Sequence, residues 1–366
     1  MWFVTPFHDE NGDLVTADVI RSRLGNFDKV IRCPARYGAR MSQAFTSTSV
    51  SISITAEEVI QLPDIEAIVN NKRVIFTDGI GTCSRETMER IAEALRESSG
   101  PKKKSRRRGP FSAAQIRLAG NKGMLIVDHT LSDDTIFVRD SMNKFAYDYE
   151  SLDVEIADVF DRPKPVFLNR PLIMILETLG VPIRSFLHLQ ETMITSITES
   201  AHSIELSAQL LATHGLGASF RIPSVLLGLA KLGLASPPTK DEFLARGLNY
   251  CVNHVLRCLK HRARIHVPDS WTLVGVADFH KYLREGEVFG TCSAFPLNHY
   301  LPDSDTVCVR DKDGKKKYLT GRVLVTRSPA IHPGDVQMAH AIGPPQRGSP
   351  FANEDLPNCI VFSCRG

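Results

Sequence analysis

The chain has 366 residues, enough for two or three domains with separate cores. Hydrophobic residues make up 43% and charged residues 23%, an ordinary globular composition that argues against a fibrous or disordered chain. With 44 basic residues against 41 acidic ones the net charge is only +3, so a basic surface can arise by clustering alone.

The opening MWFVTPFHDENGD lacks a basic region followed by an apolar stretch, and Asp9, Glu10 and Asp13 interrupt it, so no secretory leader is expected. No run approaches the roughly 18–20 apolar residues of a membrane span. The most apolar segment, 171–183, is broken by Glu177 and Pro182. The eight cysteines contain no CxxC pair, which fits a reducing compartment. An intracellular protein, nuclear or cytoplasmic, is the resulting expectation.

Up to about residue 150 the chain reads as strands and turns. RVIFTDGIG, from Arg73 to Gly81, is a β-rich run closing on a glycine turn. Ser84 is placed to cap a helix over ETMERIAEALRE, whose apolar residues recur at helical spacing. AAQIRLAGNKGMLIVDHTL predicts two strands about a turn at Gly120-Asn121-Lys122-Gly123, where Asn and Gly suit positive φ. From Asn169 to about Leu234 the period becomes helical, with Gly180 and Gly215 near helix ends. Ser236 to Pro238 punctuate the chain, and Asp241 can cap a further helix, DEFLARGLNYCVNHVLRCLKHRAR. From Trp271 onward strands return in WTLVGVAD, GEVFGTCS and TGRVLVTRSPAIHPGD.

Four features invite chemical readings. The basic run Lys102-Lys103-Lys104-Ser105-Arg106-Arg107-Arg108, flanked by Gly-Pro pairs, is a loop; phosphate contact, nuclear localisation and a solvated insertion all fit it. Cys251, His254, Cys258 and His261 are metal-ligand types, but on one straight helix they span roughly 15 Å. A zinc ion needs its ligands within about 2.3 Å of one point, so a helix face is the better reading. Asp311-Lys312-Asp313-Gly314-Lys315 has carboxylates one residue apart, yet lysines follow at once and Asp-Gly suits a hairpin turn. His332 and Asp335 follow the strand VLVTR, where an acid-base pair and a loop held by its side chains are both possible.

Seven segments in collinear order carry a resemblance: RMSQAFTST, FTDGIGTCS, QIRLAGNKGML, VRDSMNKF, LNRPLIMILETLGVP, SWTLVGVADFHKYLREGEVF and VLVTRSPAIHPGD. Together they resemble the cellular RNA-dependent RNA polymerases of RNA silencing, and NCIVFSCRG resembles the strand and turn that precede their catalytic loop. The resemblance implies an α+β fold with two double-psi β-barrels joined by a helical connector. It assigns residues 1–160 to the first barrel region, 161–268 to the connector and 269–366 to the start of the second barrel. That barrel is then incomplete, the family's Asp-x-Asp-Gly-Asp loop being expected beyond Gly366.

The implied activity is transfer of a nucleotide from an NTP to an RNA 3′-hydroxyl, with an RNA template and Mg²⁺. No metal ligand is assigned within these residues, because the DKDG turn is upstream of HPGD and carries Lys315 where a third Asp belongs. Arg117, Lys122 and Arg327 are expected to neutralise triphosphate or RNA backbone charge. Arg40, Gln43 and Asp78 are secondary choices, shared between RNA contact and scaffolding, and His332 and Asp335 are expected mainly to shape their loop. The alternative is a catalytically dead, truncated relative that binds RNA or a silencing protein. The departures VRDSMNKF and SPAIHPGD and the basic insertion are consistent with a diverged copy.

Overall fold

A computed structural model describes residues 5–98, 111–146, 152–161, 163–233, 240–293, 308–310, 316–354 and 356–365. The basic run Lys102 to Arg108 and the Asp311 to Lys315 turn lie outside the described residues. The fold is mixed α+β and divides into two compact units. The first comprises Met1–Arg162, Val274–Thr291 and Pro344–Gly366; the second comprises Pro163–Leu273 and Cys292–Gly343.

The first unit is built on a seven-stranded mixed sheet. Its spatial order is Ser49–Ile54, Leu152–Val159, Ala113–Leu118, Asn121–Val127, Ile80–Cys83, Ile136–Arg139 and Val59–Leu62. Alternation along Ala113–Leu118 buries Ala114, Ile116 and Leu118 and turns Gln115 and Arg117 to the other face. The buried set packs with Leu125, Val127, Ile136 and Val154, each such Ile or Leu contributing about 1.5–3 kcal/mol. The helix Arg85–Glu97 covers this core through Met88, Ile91, Ala92 and Leu95, spaced three or four residues apart. Its first turn is closed as expected, the Ser84 hydroxyl accepting from the Thr87 amide at 3.0 Å.

Also in the first unit, Val274–Ala277 runs parallel to Cys359–Phe362, which pairs antiparallel through Phe362, Val361 and Ile360 with Val288, Phe289 and Gly290. Phe289, essentially buried, stacks on Phe351 with ring centroids 4.4 Å apart.

The second unit is mainly helical, with Arg170–Thr178, Ile183–Glu199, Ile204–Thr213, Ile222–Lys231 and Glu242–Arg262. Asn169, Ser203 and Asp241 cap three of them by accepting backbone amide protons. Leu172, Leu176, Phe186, Met193, Ile197, Leu248, Val255 and Leu259 form the common core. Cys251, His254, Cys258 and His261 all lie on the single helix Glu242–Arg262, as the spacing argument requires. Strand pairs complete the unit: Lys164–Phe167 with His266–Thr272, and Lys316–Thr326 with both Val336–Ile342 and Cys308–Arg310.

Beside the first pair, the Phe167 ring lies 5.2 Å from the His214 ring and 5.4 Å from the His266 ring. The Arg264 guanidinium sits 4.0 Å over the centre of Phe167. Burial, with His266 and Arg264 nearby, pushes the His214 pKa down to about 4.

Two predictions follow the packing. Below pH 6.5 the unfolded chain protonates His214 while the folded chain resists until about pH 4, so stability falls as pH drops across that window. His214→Gln is expected to flatten this acid limb in urea denaturation; a limb unchanged by the substitution would show that His214 is not its source. Gly123 is the second case, because a Cβ there would press on the Gly79 carbonyl oxygen well inside van der Waals contact. Gly123→Ala is expected to cost about 1–3 kcal/mol in chemical denaturation, and a neutral result would show that the backbone yields there freely.

Candidate nucleic-acid interface

The strands Ala113–Leu118 and Asn121–Val127 form a hairpin whose last register pair is Leu118 with Asn121. The turn is therefore Ala119-Gly120, with φ of 54° and 71°, the two positive values of a type I′ hairpin. This shifts the predicted turn: Asn121, Lys122 and Gly123 belong to the strand. Gly123 serves close approach, since the Met124 amide donates to the Gly79 carbonyl at 2.9 Å directly beside it.

The register sets Arg117 opposite Lys122 and also opposite Glu155 on the neighbouring strand Leu152–Val159. A second segment is pinned to the turn, the Lys144 amide donating to the Gly120 carbonyl at 3.0 Å. Asn143 bridges to Asn121, so Lys144 is held near the hairpin. Its ammonium donates to the Ser141 carbonyl. Ser141 is in turn fixed by Asp64, which accepts from its amide at 2.8 Å and its hydroxyl at 2.7 Å.

Lys122 is at the centre of a like-charge group. Burial first, then the charges of Arg117, Arg40 and Lys144, hold its pKa below the ordinary lysine value. Arg117 is half-buried, and burial lowers its pKa while Glu155 acts against that shift. Arg117 Nη1 donates to the Ile116 carbonyl at 2.9 Å, but its Nε is buried without a hydrogen-bond partner. Glu155 itself accepts from the Thr48 hydroxyl at 2.8 Å.

The structure thus gathers three of the sequence-derived residues, Arg117, Lys122 and Arg40, the last on the helix Pro34–Met41. Gln43 is buried, with Oε1 unpartnered, and Asp78 is exposed beside Gly79. Lys144 was not singled out from the sequence, although it stands inside VRDSMNKF; its place depends on the contact with Gly120, which spacing along the chain does not reveal.

Arg327, His332 and Asp335 belong to the second unit. Arg327 is exposed just past the strand Lys316–Thr326. Asp335 accepts from the amides of Ile331 and His332 at 2.9 and 3.0 Å, and His332 Nδ1 accepts from Gly334 at 2.9 Å. Those amide bonds, ahead of the charges of Arg327 and His332, lower the Asp335 pKa. Both side chains are engaged with the backbone of their own turn.

A further group in the first unit escaped the sequence reading. Asp128, His129, His280 and Glu354 place their ligand-type atoms within 4.8 Å of one another. Asp128 and His129 follow the strand Asn121–Val127, and His280 follows Val274–Ala277; the signal available was a carboxylate and a histidine just past a strand end. Mg²⁺ favours an octahedron of oxygen ligands, usually with several waters. Two imidazoles among four donors do not fit it, so among the described residues no fitting Mg²⁺ cage is found and no step is assigned to that ion.

No helix among the described residues is long and apolar enough to cross a membrane. The family model for RNA dependent RNA polymerase matches residues 1–366. The chain is 30% identical, over its whole length, to RNA-dependent RNA polymerase 1 of Arabidopsis thaliana, spanning 29% of that protein. It is 28% identical to RNA-dependent RNA polymerase 1 of Schizosaccharomyces pombe across 97% of the chain and 28% of that protein. Among solved structures, the RNA dependent RNA polymerase QDE-1 from Thielavia terrestris superposes with a TM-score of 0.63 at 22% identity. That match covers 90% of this chain and 35% of the other, and supports a shared fold. The chain thus spans under a third of the length of these curated relatives, and by the match along all its residues it belongs to the RNA dependent RNA polymerase family.

Proposed function

We propose that this chain is the core part of an RNA-directed RNA polymerase of RNA silencing, and that Arg117, Lys122, Arg40 and Lys144 bind phosphate groups of RNA or an incoming NTP. The observation that carries this is the like-charge cluster about Lys122. Crowding cations against partly buried backbone costs stability, and bound phosphates offset that cost. Arg117 keeps a buried Nε donor unspent, and its guanidinium suits two-point contact with phosphate.

Arg327 is proposed as a separate backbone contact on the second unit, with Gln43 and Asp78 in supporting positions and His332 and Asp335 as builders of the adjoining turn. The mixed sheet of the first unit is read as part of a double-psi barrel. The regions 1–160, 161–268 and 269–366 are proposed as first barrel, connector and second barrel. Mg²⁺ is proposed for the whole enzyme, with no ligand assigned among these residues; an RNA template, NTPs and silencing proteins are its proposed partners.

A second reading has an observation of its own: the 366 residues contain no Asp-x-Asp-Gly-Asp run, the nearest being Asp311-Lys312-Asp313-Gly314-Lys315. On that reading the chain by itself binds RNA without copying it.

Binding of a fluorescent single-stranded RNA, measured by anisotropy against salt, tests the assignment. Lys122→Met and Arg117→Met are each expected to weaken binding and to reduce the slope of log K on log salt by about 0.7 per lost contact. Arg246→Ala, which removes an exposed cation paired with Glu242, is the control and leaves both unchanged. Because its charged form is disfavoured in the folded chain, Lys122→Met is also expected to keep or raise thermal stability at pH 7. Weaker binding with intact stability supports a phosphate role; unaltered binding removes it. The purified 366-residue chain with Mg²⁺, NTPs and template is expected to incorporate no nucleotide, and template-dependent incorporation would overturn the second reading.

A further inference from the structure

The group at Asp128, His129, His280 and Glu354 has a geometry that the polymerase reading does not use. His129 Nδ1 and His280 Nε2 both lie 2.8 Å from one oxygen, Glu354 Oε1. The Asp128 Oδ1 atom is 4.0 Å from the same His280 nitrogen. The Glu354 side chain is only 5% exposed, so its charge sits largely out of water. Asp128 Oδ1 is oriented from behind by the Thr130 amide at 2.9 Å and the Thr130 hydroxyl at 2.6 Å.

A second observation concerns a buried carboxylate next to this group. Asp278 is 1% exposed, and its Oδ2 accepts from the Leu283 amide at 2.7 Å while Oδ1 has no partner. It lines one small cavity together with His280, Glu354, Phe279, Phe351 and Val361. Two carboxylates, Asp278 and Glu354, and the His280 imidazole thus share a mostly apolar cavity. Carboxylates in such a place require compensation by protons, by a cationic partner or by a metal.

We propose that Asp128, His129, His280 and Glu354 form a structural site for a transition-metal dication of the Zn²⁺ class, with Asp278 beside it. Two imidazole nitrogens and two carboxylate oxygens are a donor set that Zn²⁺ accepts and Mg²⁺ does not favour. Tetrahedral donors about 2.0–2.2 Å from zinc stand roughly 3.4 Å apart, so the two His–Glu pairs at 2.8 Å must open slightly as the wider separations, up to 4.8 Å, close. Thr130 supplies the outer hydrogen bonds that hold a ligating carboxylate in place. With four protein donors no position is left for a reacting water, and the role is to staple together segments at residues 128–129, 280 and 354. No bond is made or broken beyond exchange of the ligands' protons for the metal.

The test uses the full 366-residue chain, stripped with a chelator and titrated with Co²⁺, then Zn²⁺. One equivalent of Co²⁺ is expected to give visible bands of tetrahedral intensity without near-ultraviolet thiolate absorption. Zn²⁺ should displace it and raise the thermal midpoint by several degrees. His129→Asn is expected to lose the bands and the metal-dependent stabilisation while keeping the metal-free circular dichroism. Should that variant fail to fold, Asp128→Asn takes its place, and the wild-type titration decides in either case. Absence of metal uptake would leave a hydrogen-bonded His–Glu–His network and overturn the proposal. Thiolate absorption would overturn it equally, by placing the metal on cysteine, for instance at Cys258 and His254, which lie 3.6 Å apart on one helix. Retention of the bands by the variant would do the same.

Discussion

Parallel pairing of Ile80–Cys83 with Asn121–Val127 is the constraint around which the first unit is organised. On the two sides of Ile80–Cys83, two glycines let backbones approach where no side chain fits. A Cβ at Gly123 would meet the Gly79 carbonyl, and one at Gly81 would meet the Phe137 carbonyl. Parallel strands cannot be joined by a tight turn, so the chain must leave and return between them, through the helix Arg85–Glu97 and the strand Ala113–Leu118. Once that parallel pairing is set, the hairpin register follows, and with it the facing positions of Arg117 and Lys122 in the proposed interface.

The interface shows how alternation and register convert a nearly neutral composition into a local field. Period-2 alternation sends Arg117 away from a core formed by Ile116 and Leu118, and the hairpin brings Lys122 opposite it. Like charges facing each other across strands are unfavourable. Here Glu155 relieves Arg117 in part, and Lys122 is left with cations on several sides. Under the function proposed above, a bound polyanion would turn that local cost into binding free energy.

The carboxylate–histidine group obeys a different logic. Its members come from three segments far apart in the sequence, and the shared Glu354 oxygen is the point at which they converge. Nearby, the Phe289–Phe351 stack secures the start of the helix Pro350–Asn353 that leads into Glu354. Apolar packing therefore sets how closely the polar atoms can gather, and Asp278 is buried beside them with one oxygen lacking a hydrogen-bond partner.

Local chemistry made much of this legible in the sequence. Ser84 and Asp241 announced their helices because a side-chain oxygen three residues ahead of an amide is a short-range interaction. The helical spacing of Cys251, His254, Cys258 and His261 excluded a shared metal by geometry within one element. The order of short segments was sufficient to indicate the family. The hairpin turn was displaced because Asn121 and Gly123 have turn-like identities, while Asn121 is held by its bridge to Asn143 and Gly123 by the approach of Gly79, more than forty residues earlier. Lys144 and the Asp128, His129, His280 and Glu354 group were likewise invisible, since each depends on strand pairing between distant segments. Sequence by itself determined capping, periodicity and kinship, which act within a few residues or along the linear order. Only the tertiary structure decided which charges face one another and which ligands converge, because those distances depend on sheet register and on packing across the chain.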